Sequence, residues 1–104
     1  MDEIIVFITA SSEEEAAKIA RALVKARLAG CVNIIKNIRS IYSWQGKIED
    51  EPEVLMIVKT QKSLFDSLTK KVGELHSYTV PEIIVLPIVE GSKDYLKWLR
   101  EATG

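Results

Sequence analysis

The chain has 104 residues, 47% of them hydrophobic and 28% charged, and a net charge of −1. That length predicts one domain over residues 1–104 with a buried core, and that balance leaves no basic footprint for nucleic acid or an anionic membrane. No apolar run approaches the roughly 20 residues of a membrane span, and the single cysteine fits a reducing compartment, so the expected location is the cytoplasm.

Ile4 to Ala10, "IIVFITA", is a short β-branched run that predicts a buried strand. Ser11 or Ser12 then caps a helix, with Glu14 or Glu15 three residues on to complete a capping box. Ala16, Ile19, Ala20 and Leu23 recur at helical spacing, and Gly30 suits the position just past the helix end. From Cys31 to Gln45 the even positions read Val32, Ile34, Lys36, Ile38, Ser40, Tyr42 and Trp44, a mostly apolar alternation that predicts a strand. Gly46-Lys47 suits a tight turn. The return strand opens with the acidic run Glu49 to Glu53, expected as a solvated, edge-protecting face, and Pro52 points to an edge or a bulge. It closes on the apolar "VLMIV".

Thr60 or Ser63 is placed to cap a second helix carrying Leu64, Phe65, Leu68, Val72 and Leu75. "HSYTVPE" is a loop, because Pro81 disfavours a helical Val80. "EIIVLPIV" predicts a fourth strand, and Gly91-Ser92 open a last helix with Tyr95, Leu96, Trp98 and Leu99. The order β-α-β-β-α-β plus a terminal helix predicts an α+β, ferredoxin-like fold with two helices on one face of an antiparallel sheet.

Two consequences follow. "IIVFI", "VLMIV" and "IIVLPIV" are apolar on both faces, so something must cover the face that the two helices do not. Hairpin strands of about 14 residues would span about 45 Å at ~3.3 Å per residue, against a radius of gyration near 13 Å for a domain of about this size. Self-association through the sheets answers both, and it predicts that Tyr42, Trp44 and the Gly46 turn lie at a subunit interface.

The stretches "ARALVKARLAGCVNI", "SIYSWQGKIEDEPEVLMIVKT" and "HSYTVPEIIVLPIVEGSKDYLKWL" together resemble the CutA family, named for divalent-cation tolerance. The resemblance runs from Ile5 to Leu99. It rests on the Cys-Val-Asn after the first helix, the Tyr-x-Trp-x-Gly-Lys turn, the His-x-Tyr-x-x-Pro-Glu loop and the Tyr-Leu-x-Trp-Leu end. It implies a tight homotrimer with hairpins paired between subunits, architectural kinship with PII signalling proteins, and a role in tolerance of copper and other divalent metals without an established reaction. Some relatives carry a cysteine late in the first strand and a second histidine by the His-x-Tyr loop, where this chain has Ile8 and Leu75.

Cys31 reads either as a small buried hydrophobe or as a soft-metal ligand suited to copper. His76 reads either as a helix C-terminal cap or as a ligand in a pocket with Tyr78 and Glu82. One Cys and one His are too few to close a metal site, which takes about four ligands, although a trimer would bring three copies of each. Trp44 and Trp98 read as core or interface anchors. Lys59 reads either as the partner of a carboxylate such as Glu82 or as a charge for an anionic ligand. Lys59, His76, Tyr78, Glu82, Tyr95 and Trp98 mix charge with aromatics as ligand sites do, and several of them are expected to line one cleft at a subunit boundary. There is no Gly-rich phosphate loop, and "TASSEEE" after the first strand would repel phosphate, so no enzyme is expected. The expected function is binding or sensing of divalent metal by a homotrimer that needs no cofactor. The alternative is a PII-like trimer that binds a small anionic ligand between subunits.

Overall fold

The β-branched run Glu3–Ala10 forms strand β1, and its even residues Ile4, Val6, Ile8 and Ala10 are all buried. The computed structural model describes residues 2–104. After β1 come helix α1 (Glu13–Lys25), the long strands β2 (Cys31–Trp44) and β3 (Lys47–Gln61), helix α2 (Phe65–Leu75), strand β4 (Ile83–Pro87) and helix α3 (Lys93–Ala102). The sheet order is β2-β3-β1-β4 and every pairing is antiparallel. This is the α+β, ferredoxin-like arrangement that the element order predicts.

Register fixes the two faces. Val6 stands opposite both Val58 and Val85, so these residues share the face covered by α1 and α2. Val6, Ile8, Met56 and Val58 meet Ile19 and Leu23 of α1 and Leu68 and Val72 of α2, all fully buried. Each such side chain contributes about 1.5–3 kcal/mol. The opposite face carries Ile5, Phe7, Leu55 and Ile57, which are half-buried, with Ile35, Ile84 and Leu86 exposed. Helix α3 covers only one end of that face: Arg100 bonds Glu3, and Gln61 donates to Thr103 Oγ1. The apolar strands therefore do leave a face that this chain does not cover.

The hairpin forms an arm. β1 ends where Ala10 pairs with Val54, so from Glu53 outward β3 pairs with β2 alone. The longest dimension is 44 Å, in line with two strands of this length. A bulge at Lys36-Asn37, where the ladder jumps from Ile35↔Leu55 to Ile38↔Glu53 and Asn37 takes φ 62°, inverts the alternation of β2. Before the bulge Val32 and Ile34 face the helices. Beyond it Ile38, Ser40, Tyr42 and Trp44 turn to the helix-free side, because Ile38 now opposes Glu53. Pro52 lies in the outer part of β3 that has no neighbour on the β1 side.

Four local expectations need correction. The hairpin turns on Gln45-Gly46, both at positive φ (50° and 76°), and not on Gly46-Lys47. The left-handed residue after α1 is Arg27 (φ 61°), not Gly30. Arg27 spends its guanidinium on the carbonyls of Glu101 and Gly104 at 2.7 and 2.9 Å. Gly30 has a packing role instead, since a Cβ there would sit 2.6 Å from Leu99 Cδ1. Neither Thr60 nor Ser63 caps α2: a 3₁₀ turn at Lys62–Leu64 leads in, and the buried Thr60 donates its hydroxyl to the Leu28 carbonyl at 2.7 Å. β4 stops at Pro87, short of the full apolar run. The caps at Ser12 and Ser92 stand as expected, accepting from Glu15 N and Tyr95 N.

Candidate functional site

The end of β1, the root of the arm and the loop from His76 to Glu82 enclose a cleft of about 650 Å³. Its walls include Thr9, Arg39, Tyr42, Trp44, Glu53, Tyr78 and Glu82. The loop leaves α2 at His76, whose N–H still bonds the Val72 carbonyl, so His76 is the helix C-cap. Its imidazole is almost wholly buried. Nε2 lies 2.7 Å from the Thr9 carbonyl, which can only accept, and Nδ1 accepts from the Tyr78 N–H at 3.1 Å. The proton therefore sits on Nε2 and the lone pair on Nδ1, and neither nitrogen is left for a metal in this arrangement.

Tyr78 packs tilted against the His76 ring with centroids 4.7 Å apart, and its hydroxyl donates to Glu53 Oε2 at 2.6 Å. Burial, with the Glu53 carboxylate beside it, pushes the Tyr78 phenol well above its ordinary range, so it stays a proton donor. Glu53 itself is 7% exposed. Arg39, the one basic group lining the cleft, is held in a fork by Asp50 at 2.8 and 2.6 Å.

Behind the loop Glu15 fastens α1 to Ser77, taking the Ser77 N–H at 2.8 Å and the Ser11 N–H and hydroxyl at 3.1 and 3.0 Å. Burial acts to raise its pKa, but the hydrogen bonds from Ser77 and Ser11 outweigh it and hold the carboxyl at about 2. A carboxyl depressed in the folded state lends stability that is complete above its unfolded value near 4.5 and is lost as pH falls toward about 2. Allowing for solvent screening, the loss is about 1–2 kcal/mol. Urea unfolding at pH 7 and pH 2.5 checks it: Glu15→Gln should be weaker than wild type at pH 7 and should show a smaller acid loss.

The sequence-predicted residues divide into two groups. Tyr78 and Glu82 line the cleft with the interface candidates Tyr42 and Trp44, and His76 positions the loop from behind. Lys59, Cys31, Tyr95 and Trp98 belong to the other end of the sheet. Lys59 pairs with Cys31 and Ile5 in the ladder, and the Tyr95 and Trp98 rings stack 5.4 Å apart on α3. The Tyr95 phenol is raised by burial and by Cys31 beside it, and the Cys31 thiol points to Asn33 Oδ1 at 3.9 Å. Of the six candidates, Tyr78 and Glu82 share the cleft within one chain, with His76 behind them, and the other three lie at the far end of the sheet. Thr9 and Glu82 belong to the cleft end of β1, and Ile5, Lys59 and Cys31 to the opposite end, so of the two readings of Lys59 the pair with Glu82 does not form within one chain.

Cys31 and His76 do not meet either, and among the described residues no group of three His, Cys, Asp or Glu side chains could hold a metal ion. Sequence reasoning overlooked Glu53, which it grouped with a solvated acidic run. That reading suits Asp50 and Glu51, both exposed. The signal for Glu53 lay in its period-two spacing with the apolar Leu55 and Ile57.

The family model for CutA1 divalent ion tolerance protein matches residues 4–102. The Divalent-cation tolerance protein CutA of Thermus thermophilus is 54% identical over 102 residues, covering 98% of this chain and 99% of its own. The human Protein CutA is 52% identical over 97 residues, and this chain spans 54% of its length. Among solved structures, the Thermus thermophilus protein superposes with a TM-score of 0.96, covering 98% of this chain and 99% of that one. The Archaeoglobus fulgidus periplasmic divalent cation tolerance protein CutA superposes at 0.95 with 43% identity, covering 98% and 99% of the two chains. No helix among the described residues is long and apolar enough to cross a membrane. A family-model match over residues 4–102, a relative 54% identical over nearly the whole of both chains and a superposition at a TM-score of 0.96 establish that this protein belongs to the CutA1 divalent ion tolerance family.

Proposed function

We propose that the protein works in divalent-cation tolerance as a homotrimer that binds or senses the ion, copper included, without a catalytic step. The observation that carries this reading is the uncovered half of the sheet. Ile35, Ile84 and Leu86 stand 44%, 52% and 47% exposed on the helix-free face, and the arm beyond it offers Tyr42 and Trp44. A surface of this kind is completed by other copies of itself, and three in a ring leave no edge to propagate. The cytoplasm is the proposed location, although the archaeal relative is named as periplasmic.

Metal binding on this reading needs donors from more than one copy. Of Cys31 and His76, Cys31 is the ligand not already committed, since both nitrogens of His76 hold the loop. Binding of copper is therefore expected to be weak and to depend on Cys31. Titration calorimetry with copper on wild type, Cys31→Ser and His76→Gln tests it: heat should fall in Cys31→Ser. Identical isotherms for all three proteins would remove both residues from the site. The alternative of a small anionic ligand is disfavoured at the cleft, whose carboxylates Glu53 and Glu82 face an arginine already neutralised by Asp50.

A further inference from the structure

Glu53 is buried, yet among the described residues the one group bonded to its carboxylate is the Tyr78 hydroxyl. Among the described residues no lysine or arginine forms an ion pair with it. The sheet's other buried carboxylate, Glu3, does have a cation, Arg100 at 3.2 Å. A carboxylate taken from water without a counter-charge is costly, and Tyr78 supplies a proton to share but no positive charge.

A cation in the reverse situation lies on the same strand. Lys59 is half-buried on the same helix-free face, in the odd series with Glu53, Leu55 and Ile57, and it has no carboxylate partner among the described residues. The remaining strand cations are accounted for: Lys36 pairs with Glu13, Arg39 with Asp50, and Lys47 is exposed at the tip of the arm. Lys59 and Glu53 cannot meet within one chain, because six residues of extended β3 hold them about 20 Å apart.

We propose that Glu53 and Lys59 are the two halves of one ion pair made between copies of the chain, Glu53 of one protomer receiving Lys59 of the next. The inference rests on the trimeric reading above and adds which groups fix its geometry. In a ring of three the contact is head-to-tail, so each copy gives Glu53 to one neighbour and Lys59 to the other, from opposite ends of one apolar strip. Leu55 and Ile57 between them would keep the pair dry, where attraction is strongest. The apolar face alone is non-directional. A buried pair that is satisfied in one register and stranded in every other selects that register.

Charge reversal tests the pairing, read by sedimentation velocity over a dilution series, with far-UV circular dichroism to confirm folding. Glu53→Lys and Lys59→Glu should each raise the dissociation constant of the assembly at least about tenfold, and the double reversal should bring it back toward wild type. A double variant no better than the two single losses combined overturns the proposal. Should a reversal fail to fold, Glu53→Gln and Lys59→Met decide, because glutamine still accepts from Tyr78. Each should weaken assembly about tenfold and the double little more than either, whereas simple addition of the two losses overturns the pairing. A wild-type protein that is monomeric throughout would instead defeat the trimeric reading, a distinct result.

Discussion

Trp44→Ala is expected to weaken assembly by about 2–4 kcal/mol, the range of an interface hot-spot aromatic, which raises the dissociation constant between about thirtyfold and several hundredfold. The Lys36-Asn37 bulge makes this residue an interface candidate and not a core one. It rotates Tyr42 and Trp44 to the helix-free side, on an arm whose outer strands pair only with each other and which meets the His76–Glu82 loop across the cleft. Trp44 pairs across the hairpin only with Lys47, and it remains 44% exposed. Truncation therefore removes little from the chain's own core, which is held by Ile19, Leu23, Leu68 and Val72 against β1 and β3. Helical circular dichroism should be unchanged at concentrations where the variant has dissociated. A loss of helix signal parallel to the loss of assembly would place Trp44 in the folding core.

His76→Ala is expected to cost about 2–4 kcal/mol of folding stability. His76 joins three elements: its backbone N–H bonds the Val72 carbonyl at the end of α2, while its imidazole donates to the Thr9 carbonyl at the end of β1 and accepts from the Tyr78 N–H. Alanine leaves both of the imidazole's backbone partners unsatisfied and opens a void against the Tyr78 ring. The loop would lose the bond that orients Tyr78 toward Glu53, so the cleft should loosen as well. Urea unfolding should show a lower midpoint with the slope unchanged. An unfolding free energy within about 0.5 kcal/mol of wild type would show that His76 does not organise the loop.

Much of the fold was legible because each element carries its own signal. The Ser12 and Ser92 caps, the apolar spacing of α1 and the β-branched run of β1 act locally, and local chemistry decides them. The hairpin was legible as a long pair of strands but not in its faces. A bulge of one extra residue at Lys36-Asn37 leaves every residue type unchanged while inverting which side each one faces. Arg27 displaced Gly30 from the expected left-handed position because its guanidinium gains the C-terminal carbonyls, a contact between residues 77 positions apart that no local pattern carries. Thr60 looked like a helix cap for a similar reason: its hydroxyl finds Leu28, which only the sheet brings near.

The candidate site was legible in composition and not in arrangement. Family motifs singled out Lys59, His76, Tyr78, Glu82, Tyr95 and Trp98, but motif membership does not say which residues share one chain's surface. β1 runs the length of the domain and puts Tyr78 and Glu82 at one end and Lys59 at the other. Glu53 was hidden in an acidic run whose neighbours are solvated: it shares the odd series of the half-buried Leu55 and Ile57, and the Tyr78 loop that bonds it is brought near only by the fold.

The central claim is that the helix-free face and the arm are finished by further copies of the chain. Sedimentation equilibrium of the wild-type protein at micromolar concentration tests it most directly. A single species of three times the chain mass that persists on dilution is expected, with Trp44→Ala dissociating first. A wild-type protein sedimenting at one chain mass, with native circular dichroism, would contradict it.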